Sequence, residues 1–403
     1  MKTVAAGAGA RPLSLGTSMI LLLALLTALD AMAIDMYLPG MPAIAEDFGV
    51  SAGKAQQTLS VFLIGLAIGQ GLYGPLLDRY GRRLPLLVGV LVFALGSALA
   101  ALAPSIEWLM AARFLQALGA AAGLVAPRAV VADCCTTLEA ARIFSLLMQV
   151  MMIAPIMAPL LGSQLLVLGG WRAIFWALAG LSVLGLIWTW RALPETLAPS
   201  AQVALRPGPL FRTWLQQLGN RVFMAYVLAG GFVLSSLFAY ISGAAFIFSG
   251  HFSLTPAQFS YLFAANSLSL VAGGQICNVL LRRGIREQRI LYLGLAVHTM
   301  AGLALWGAVQ TGAATLGVYI AFIALAIGAL GLVFGNLTAL TMASAGPQAG
   351  MASALMGMVQ YLMSALVGYG LSMAPSGPAA LPVVIVLCGA LAFALCLRGR
   401  RQG

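Results

Sequence analysis

Charge is scarce in this sequence. Of its 403 residues only 8% are charged, with 10 Asp and Glu against 21 Lys and Arg, and 62% are apolar. The mean hydropathy is +1.00. A soluble domain cannot bury so much apolar surface, so the composition excludes one and indicates an integral membrane protein. Apolar runs of about 20 residues recur along the chain and can cross the bilayer as helices, whereas a barrel would show short alternating segments.

Other absences narrow the function. The five cysteines lack metal-ligand spacing, and the adjacent Cys134 and Cys135 make a poor disulfide, so we interpret all five as small apolar fillers and expect no metal. The sequence contains no HExxH, no G-x-S-x-G and no nucleotide-binding loop, which argues against an enzyme and leaves a receptor open. The net charge of +11 is spread over short loops, so we expect the lipid bilayer as its partner and no nucleic acid.

Twelve helices are predicted when the apolar runs are divided at Pro, Gly and charged residues. They cover residues near 15–39, 55–77, 84–103, 107–131, 142–168, 172–193, 221–248, 257–281, 289–309, 314–341, 349–371 and 379–397. The longest polar interruption follows the sixth helix. We therefore predict two six-helix halves, 1–193 and 221–403, joined by a linker at 194–220.

An internal echo supports this division. FGVSAGKAQ (48–56) is answered by FSLTPAQ (252–258), and GQGLYGPLLDRYGRR (69–83) by GQICNVLLRRGIR (274–286), each about 204 residues later. Parallel six-helix repeats with a site between them are common in secondary transporters. The predicted fold class is an all-α membrane protein with twelve transmembrane helices in two pseudo-symmetric halves.

The distribution of Arg and Lys over the loops predicts the orientation. One side receives nearly all of them, and the other receives little beyond Lys54 and Arg172. By the positive-inside rule, the arginine-rich side and both termini are cytoplasmic. The first apolar segment follows Lys2 and Arg11 and is interpreted as a retained signal anchor.

Three charged residues clearly lie at membrane depth within the predicted spans: Asp30, Asp35 and Arg113. A charge at membrane depth costs about 2.5–3.5 kcal/mol on insertion scales, so each must face water, a partner or a functional cavity. Asp35 and Arg113 lie at matching depths on their helices. Asp30 and Asp35 are five residues apart and point about 140° from each other, so we expect one to face a central cavity and the other to be held inside the first half, for example by Arg113. An alternative is that both acids are permanently paired and only fix helix packing.

Several motifs resemble the major facilitator superfamily. GPLLDRYGRR (74–83) is similar to the signature between its second and third helices, RFLQALGAAAG (113–123) to its fourth-helix Arg motif, and IAPIMAPLLG (153–162) to its fifth-helix antiporter motif. AIDMYLPGMPAIAEDFGVS (33–51) and WRAIFWALA (171–179) resemble more narrowly the Bcr/CflA drug-resistance family, which exports antibiotics in exchange for protons. The chain departs from the family pattern at Ala132, where a second Arg is usual, and at Ser163, where a second Gly is usual.

The resemblance implies a major facilitator fold and roles for matched positions. Proton coupling would involve Asp35, Asp30 and Arg113, with Asp35 alternating between proton and drug. A cytoplasmic gate motif that latches the halves would comprise Gly74, Asp78, Arg79, Gly81, Arg82 and Arg83. The antiporter motif would comprise Pro155, Pro159 and Gly162, which bend and closely pack the fifth helix.

Polar residues in the remaining spans are candidates for a drug pocket: Tyr240, Asn266, Gln275, Asn336, Gln360 and Tyr361. Each could instead form a hydrogen bond between helices, which is a common packing device in bilayers.

The sequence therefore predicts a multidrug efflux antiporter of the bacterial inner membrane. It would export amphiphilic, phenicol-like or bicyclomycin-like antibiotics, use protons as the coupling ion and need no cofactor beyond the proton gradient. We expect a monomer. The alternative of a proton–solute symporter on the same fold stays open.

Overall fold

The computed structural model describes residues 15–197, 214–345, 349–374 and 377–402. These residues are almost entirely helical, and no strand occurs among them. The helices are α1 (Thr17–Asp35), α2 (Met41–Asp47), α3 (Ala52–Tyr80), α4 (Arg83–Ala101), α5 (Ile106–Cys134), α6 (Thr137–Ala192), α7 (214–219), α8 (Arg221–Phe246), α9 (Pro256–Arg282), α10 (Glu287–Gln310), α11 (Leu316–Ser344), α12 (Ala349–Ser372) and α13 (Ala380–Gln402). A 3₁₀ turn at Leu38–Gly40 joins α1 to α2, and a π turn at Ile247–His251 ends α8.

Hydroxyl side chains begin several of these helices. Ser51 accepts a hydrogen bond from the Lys54 backbone N–H, and Ser105 accepts one from Trp108. At α6, Thr136 and Glu139 form a reciprocal capping box, and Thr255 forms the same arrangement at α9. These caps satisfy backbone donors that the first helical turn leaves free, and so they set where each span starts.

Eleven helices in the described part of the chain are long and apolar enough to cross a membrane. One of them, Leu138–Ala192, has 55 residues and exceeds a single crossing. It is broken at Gly169 and Gly170, where the backbone is non-helical and Gly170 has a φ of 69°. This break separates the predicted spans 142–168 and 172–193, which accounts for the twelve predicted crossings.

The helices pack as two groups. In the first bundle, α1 packs on α6, while α5 packs on both α3 and α4. In the second bundle, α8 packs on α12 and α13, α9 on α11, and α10 on α11 and α13. The first bundle comprises α1–α6, and the second comprises α8–α13.

Two antiparallel helix pairs join the bundles: α3 with α12, and the first part of α6 with α9. The α3–α12 contact runs along most of both helices. A Cβ at Gly53 would collide with the Ser372 carbonyl, and one at Gly357 would collide with the Gln70 amide. Gln57 Nε2 also donates to Ser372 Oγ at 3.3 Å. Glycine thus permits the close approach of the two bundles.

The two ends of the molecule differ in charge. The arginine-rich end carries the α3–α4, α5–α6 and α9–α10 connections, and the opposite end carries the turns after α1, α4 and α8. Of the predicted linker 194–220, the chain leaves α6 after Ala192 and forms the short helix α7, whereas residues 198–213 lie outside the described part. Lys2 and Arg11 also lie outside it.

Candidate functional site

Asp35 lines a cavity of about 130 Å³ between the two bundles. The first bundle contributes Asp35 from α1 and Met151, Met152 and Pro155 from α6. The second contributes residues of α8, α9 and α11: Leu237, Tyr240, Ile241, Phe263, Ser267, Leu270, Val271 and Ile327. Asp35 is the one ionisable carboxylate among these residues, and it forms no ion pair among the described residues. The cavity is therefore an apolar chamber with a single acid in its wall.

Tyr240 supplies the main polar contact from the second bundle. Its hydroxyl accepts a hydrogen bond from Asn266 Nδ2 at 2.9 Å, and its ring stacks on Phe263 with 5.5 Å between the centroids. Asn266 itself is buried and does not line the cavity. The Asn266 amide orients the tyrosine ring. Of the predicted pocket residues, Tyr240 therefore lines the chamber, and Asn266 acts through Tyr240.

Asp30 is also buried, but it is not part of the cavity wall. Its Oδ1 has no hydrogen-bond partner among the described residues. The two acids of α1 therefore occupy different environments, as the 140° separation predicts. Asp35 faces the chamber between the bundles, and Asp30 lies within the packed interior.

Arg113 is fully buried on α5 within an aromatic box. Its Cζ lies 4.1 Å from the Phe62 ring centroid, 4.7 Å from that of Tyr37 and 5.8 Å from that of Phe175. The faces of these rings are electronegative and stabilise a cation that has left water. Tyr37 donates its own proton to Thr58 Oγ1 at 2.7 Å, because the Thr58 hydroxyl donates to the Ala55 carbonyl.

A single nitrogen of Arg113 makes hydrogen bonds. Nη1 donates to the Ala33 carbonyl of α1 at 3.0 Å and to Gln116 Oε1 at 2.6 Å, and Gln116 in turn donates to Ser97. Nε and Nη2 have no partner among the described residues. Arg113 therefore reaches the backbone of α1 between the two acids, while no ion pair in the described chain joins it to Asp30 or Asp35.

The other predicted pocket residues lie elsewhere. Asn336 Nδ2 donates to the Leu332 carbonyl and to Cys277 Sγ, so it bonds α11 to α9. Gln360 lies against Gly230 of α8. Tyr361 packs on Phe238 with 5.9 Å between the ring centroids. Gln275 is exposed on α9. None of these four residues lines the Asp35 cavity, and the contacts of the first three are those of helix packing.

The carbonyl groups of the two prolines of α6 lie within hydrogen-bond distance of serines of α9. Pro159 lacks an N–H, so the Pro155 carbonyl loses its usual helical partner. Ser267 Oγ lies 3.4 Å from that oxygen, and Ser260 Oγ donates to the Pro159 carbonyl at 2.9 Å. Both serines belong to the second bundle. The prolines of the antiporter motif thus form polar contacts across the interface.

Gly162 sits where α6 meets the end of α1. A Cβ at this position would collide with the Met36 carbonyl, next to Asp35. Ser163, which replaces the second glycine of the family motif, is buried and donates to the Leu160 carbonyl of its own helix. The departure from the motif therefore leaves the close approach at Gly162 intact.

The motif at 74–83 centres on Arg82 at the arginine-rich end. Arg82 Nη1 lies 2.7 Å from Asp78 Oδ1, and its Nε lies 2.7 Å from Asp133 Oδ2 on α5. Asp133 directly follows Ala132, the position where a second Arg is usual, and its contact with Arg82 does not depend on that Arg. These contacts all lie within the first bundle. In this structure the ion pairs brace that bundle and do not latch it to the second.

Glu195, just after α6, holds the same loop by its backbone. Its carboxylate accepts from the N–H groups of Arg82 and Arg83 at 2.8 and 3.1 Å. Partial burial raises the pKa of Glu195, but donation from Leu197, Arg82, Arg83 and Thr196 lowers it by more, so the net shift is downward. Gly81 has a φ of 86°, and a Cβ there would collide with this carboxylate.

The remaining motif residues differ in their surroundings. Arg83 Nη2 donates to the Trp190 carbonyl at 2.6 Å and so bonds α4 to the end of α6. Arg79 is exposed on the last turn of α3. A Cβ at Gly74 would have no neighbour within 4 Å. The structure thus gives Gly81 a steric reason to be glycine and gives Gly74 none. No group of three His, Cys, Asp or Glu side chains in the described chain could hold a metal ion.

Comparison with known proteins agrees with this arrangement. A model of the Major Facilitator Superfamily matches residues 23–368. The chain is 37% identical to an uncharacterized MFS-type transporter, YdgK, of Bacillus subtilis over 92% of this chain and 93% of that protein. It is 28% identical to a bicyclomycin resistance protein homolog of Haemophilus influenzae, covering 87% of each, and 34% identical to a chloramphenicol resistance protein of Pseudomonas aeruginosa, covering 62% and 59%.

A solved structure shares the fold. The D-xylose–proton symporter superposes with a TM-score of 0.77 at 15% sequence identity, covering 93% of this chain and 96% of that one. The protein is a multi-pass membrane transporter, and not an enzyme. It belongs to the major facilitator superfamily, and the relatives named for antibiotic resistance confirm the resemblance to its Bcr/CflA drug-resistance family.

Several residues around the site were missed from the sequence. Tyr37, Phe62 and Phe175 surround Arg113, yet they read as ordinary apolar positions of three separate helices. Asp133 and Glu195 complete the Arg82 network from distant parts of the chain. Asp133 and Glu195 could have been identified as candidates because each is an acid at the polar end of a predicted span.

Proposed function

We propose that the protein is a proton-coupled multidrug exporter. It would move amphiphilic, phenicol-like or bicyclomycin-like antibiotics out of the bacterial cytoplasm in exchange for protons. One observation carries this proposal: Asp35 lines an apolar cavity between the bundles and has no ion-pair partner among the described residues. The names of the relatives from Haemophilus influenzae and Pseudomonas aeruginosa support the drug class.

The chemistry of an isolated acid supports coupling. An ionised carboxylate in apolar surroundings is costly unless it gains a proton or a partner. A proton and a drug that contacts Asp35 therefore compete for the same group. Protonation from outside favours release of the drug, and deprotonation toward the cytoplasm restores the binding form. One proton crossing 100 mV supplies about 2.3 kcal/mol. Since about 1.4 kcal/mol corresponds to a factor of ten, this drives a drug gradient on the order of tens-fold.

The two bundles are the natural moving units. Between them, the cavity of about 130 Å³ is smaller than the roughly 300–1,000 Å³ of sites for drug-sized ligands. The bundles must therefore separate around Asp35 to admit a drug. We propose that the halves 1–193 and 221–403 move relative to each other about the α3–α12 and α6–α9 contacts, with 194–220 as the linker.

We further propose that the arginine-rich end faces the cytoplasm, which makes the membrane the bacterial inner membrane and both termini cytoplasmic. The proton gradient would be the energy source without a cofactor, and the working unit would be the monomer. Proton coupling would involve Asp35, Asp30 and Arg113.

The test is transport by the purified full chain in proteoliposomes. Vesicles loaded with radiolabelled chloramphenicol should lose it faster when a proton gradient of the physiological direction is imposed. The Asp35→Asn variant should abolish the gradient-driven component, because its amide carries no titratable proton. Glu46→Gln serves as the matched control, because it neutralises an exposed acid of α2 outside the cavity. This variant should retain full coupling.

The direction of coupling separates the rival readings. Movement of the drug in the same direction as the protons, with accumulation on the proton-poor side, would identify a symporter and overturn the antiport proposal. A receptor would give no concentrative movement in either direction. Full proton-driven export by Asp35→Asn would remove Asp35 from the mechanism.

A further inference from the structure

A second and larger cavity lies between the bundles at the end of the molecule away from the arginine-rich loops, beyond the Asp35 cavity along α8. It has a volume of about 370 Å³ and shares no residue with the Asp35 cavity. The wall of this vestibule includes Gln56 of α3, Phe246 and His251 at the end of α8, Leu371 and Ser372 of α12, and Leu381 of α13. The vestibule is thus lined by residues of both bundles, Gln56 belonging to the first. Its volume falls in the range of sites for drug-sized molecules.

Gln56 is an unpartnered polar group in the vestibule wall. The residue is only 9% exposed, and its Oε1 has no hydrogen-bond partner among the described residues. Burying an amide without a partner is unfavourable, so such groups call for an explanation. The neighbouring Gln57 shows the contrast, because its amide reaches across the interface to Ser372 Oγ at 3.3 Å. Gln56 thus offers an unused hydrogen-bonding group beside an open volume.

Glycine helps to form that volume. Gly250 lies in the π turn of α8 and lines the vestibule, and a Cβ built on it would have no neighbour within 4 Å. π turns frequently mark functional positions in helices. A larger side chain can therefore be introduced at this lining position without a clash at its Cβ.

The wall composition indicates the kind of molecule that fits. Apolar surface comes from Phe246, Ile247 and Leu371, and hydrogen-bonding groups come from Gln56 and His251. No Asp, Glu, Lys or Arg lines the vestibule among the described residues. A charged ligand would find no counter-charge there, whereas a neutral amphiphile with an amide or hydroxyl would satisfy Gln56 and cover the apolar walls.

A file of aromatic rings links the two cavities inside the second bundle. Successive centroid distances are 5.5 Å for Tyr240–Phe263, 5.8 Å for Phe263–Phe259, 6.5 Å for Phe259–Phe248, 6.0 Å for Phe248–Phe252 and 4.8 Å for Phe252–His251. The file begins at the Asp35 cavity and ends at the vestibule. In the orientation proposed above, it leads toward the exterior.

We propose that the vestibule is a second binding site, for neutral amphiphilic molecules that carry an amide or hydroxyl group, with Gln56 as its polar contact. A molecule bound there touches both bundles and stabilises their contact at this end. The identification of the bound molecule as a substrate in the course of export rests on the proposed function. The proposal that the vestibule binds such a molecule does not depend on it.

The experiment measures how many molecules of radiolabelled chloramphenicol bind per chain. Chloramphenicol is a neutral probe with an amide, two hydroxyl groups and an aromatic ring. The full chain is reconstituted in lipid nanodiscs and analysed by equilibrium dialysis. Two saturable sites per chain are expected for the unmodified protein. Gly250→Leu should reduce this number to one, and Gln56→Leu should weaken the same site at least fivefold.

A matched variant controls for the added bulk. Gly307 of α10 also has no neighbour within 4 Å of a built Cβ, and it does not line the vestibule. Gly307→Leu should therefore keep both sites. Retention of the nanodisc-inserted, monodisperse protein by all three variants, measured by size-exclusion chromatography, excludes misfolding as the cause of lost binding.

The possible failures are distinguishable. One saturable site that Gly250→Leu leaves unchanged, or no saturable binding, overturns the vestibule site. If the unmodified protein nevertheless exports chloramphenicol in the proteoliposome assay, the proposed export function still holds. A site that is sensitive to Gly250→Leu in a protein that does not transport supports the vestibule and overturns the export proposal.

Discussion

The two bundles hold different kinds of buried polar group. Among the described residues, the buried carboxyl and guanidinium side chains, those of Asp30, Asp35, Arg82 and Arg113, all belong to the first bundle. The buried polar residues of the described part of the second bundle are serines, a threonine, asparagines, tyrosines and a histidine. His298, for example, lies between the Ser236 hydroxyl and the Ala326 carbonyl, at 3.0 and 2.8 Å. Charge chemistry is thus concentrated in one bundle, and the other presents a neutral wall.

The concentration of buried charged groups in the first bundle has a physical reason. A buried charge needs a rigid set of partners, and the first bundle supplies them through the aromatic box, Gln116 and the Arg82 network. A neutral, mostly apolar wall tolerates changes of side chain with little energetic penalty. We therefore expect substitutions in the first bundle to alter proton coupling and stability, and those in the second to alter the choice of drug.

Replacement of Arg113 should have the largest effect on this contrast. Arg113→Ala removes the cation from the aromatic box and leaves the Ala33 carbonyl and Gln116 without their donor. We expect proton-driven export to fall at least tenfold or its pH optimum to shift, measured in proteoliposomes over a series of external pH values. Arg128→Ala, which removes an exposed arginine of the same helix, is the control. An unaltered rate and pH profile in Arg113→Ala would remove this residue from the coupling scheme.

Two glycines of the motif at 74–83 should differ in how well they tolerate substitution: Gly81 should be sensitive and Gly74 tolerant. Gly81→Ala forces a φ of 86° on a residue with a Cβ and pushes that atom into the Glu195 carboxylate. A strained position of this kind costs about 1–3 kcal/mol, so the detergent-purified protein should melt at a lower temperature. Gly74→Ala meets no neighbour and should melt with the unmodified protein. Equal melting temperatures for both variants would contradict the role given to the Glu195 contact.

The smallest effect is expected in the neutral wall. Tyr240→Phe removes the hydroxyl that accepts from Asn266 while keeping the ring stacked on Phe263. The KM for exported chloramphenicol should change by about two- to fivefold, in line with about 0.5–1 kcal/mol for one hydrogen bond, and the dependence on the proton gradient should persist. Tyr369→Phe, an exposed tyrosine of α12, should leave KM unchanged. Loss of coupling in Tyr240→Phe would show that proton chemistry extends into the second bundle.

The helices were predictable because the bilayer imposes a local rule. A span needs about 20 apolar residues whatever it packs against, so the runs between Pro, Gly and charged positions located the crossings. The break at Gly169–Gly170 was predicted for the same reason. The separation of Asp30 and Asp35 around α1 also followed from helix geometry alone.

The partners of Arg113 and the pocket residues were harder to predict. Matching depth suggested an acid for Arg113, yet in this structure it meets three aromatic rings, a backbone carbonyl and Gln116. Depth along a helix is a local quantity, whereas the rotation of α5 against α1 and α3 decides which side chains meet. For the same reason, polarity alone could not separate Tyr240, which lines the cavity, from Asn336, which bonds two helices.

By itself, the sequence determined that this chain is a membrane protein, how many times it crosses the bilayer, and that its first span contains acids. These features could be determined because hydropathy and helical period depend only on neighbours along the chain. Tertiary structure decided that Asp35 faces a chamber in which no described residue supplies a counter-charge, that the Glu195 carboxylate binds the loop at Gly81, and that a vestibule opens beside Gln56. These features arise where helices distant in sequence touch, and the shape of that contact is set by the packing of both bundles together.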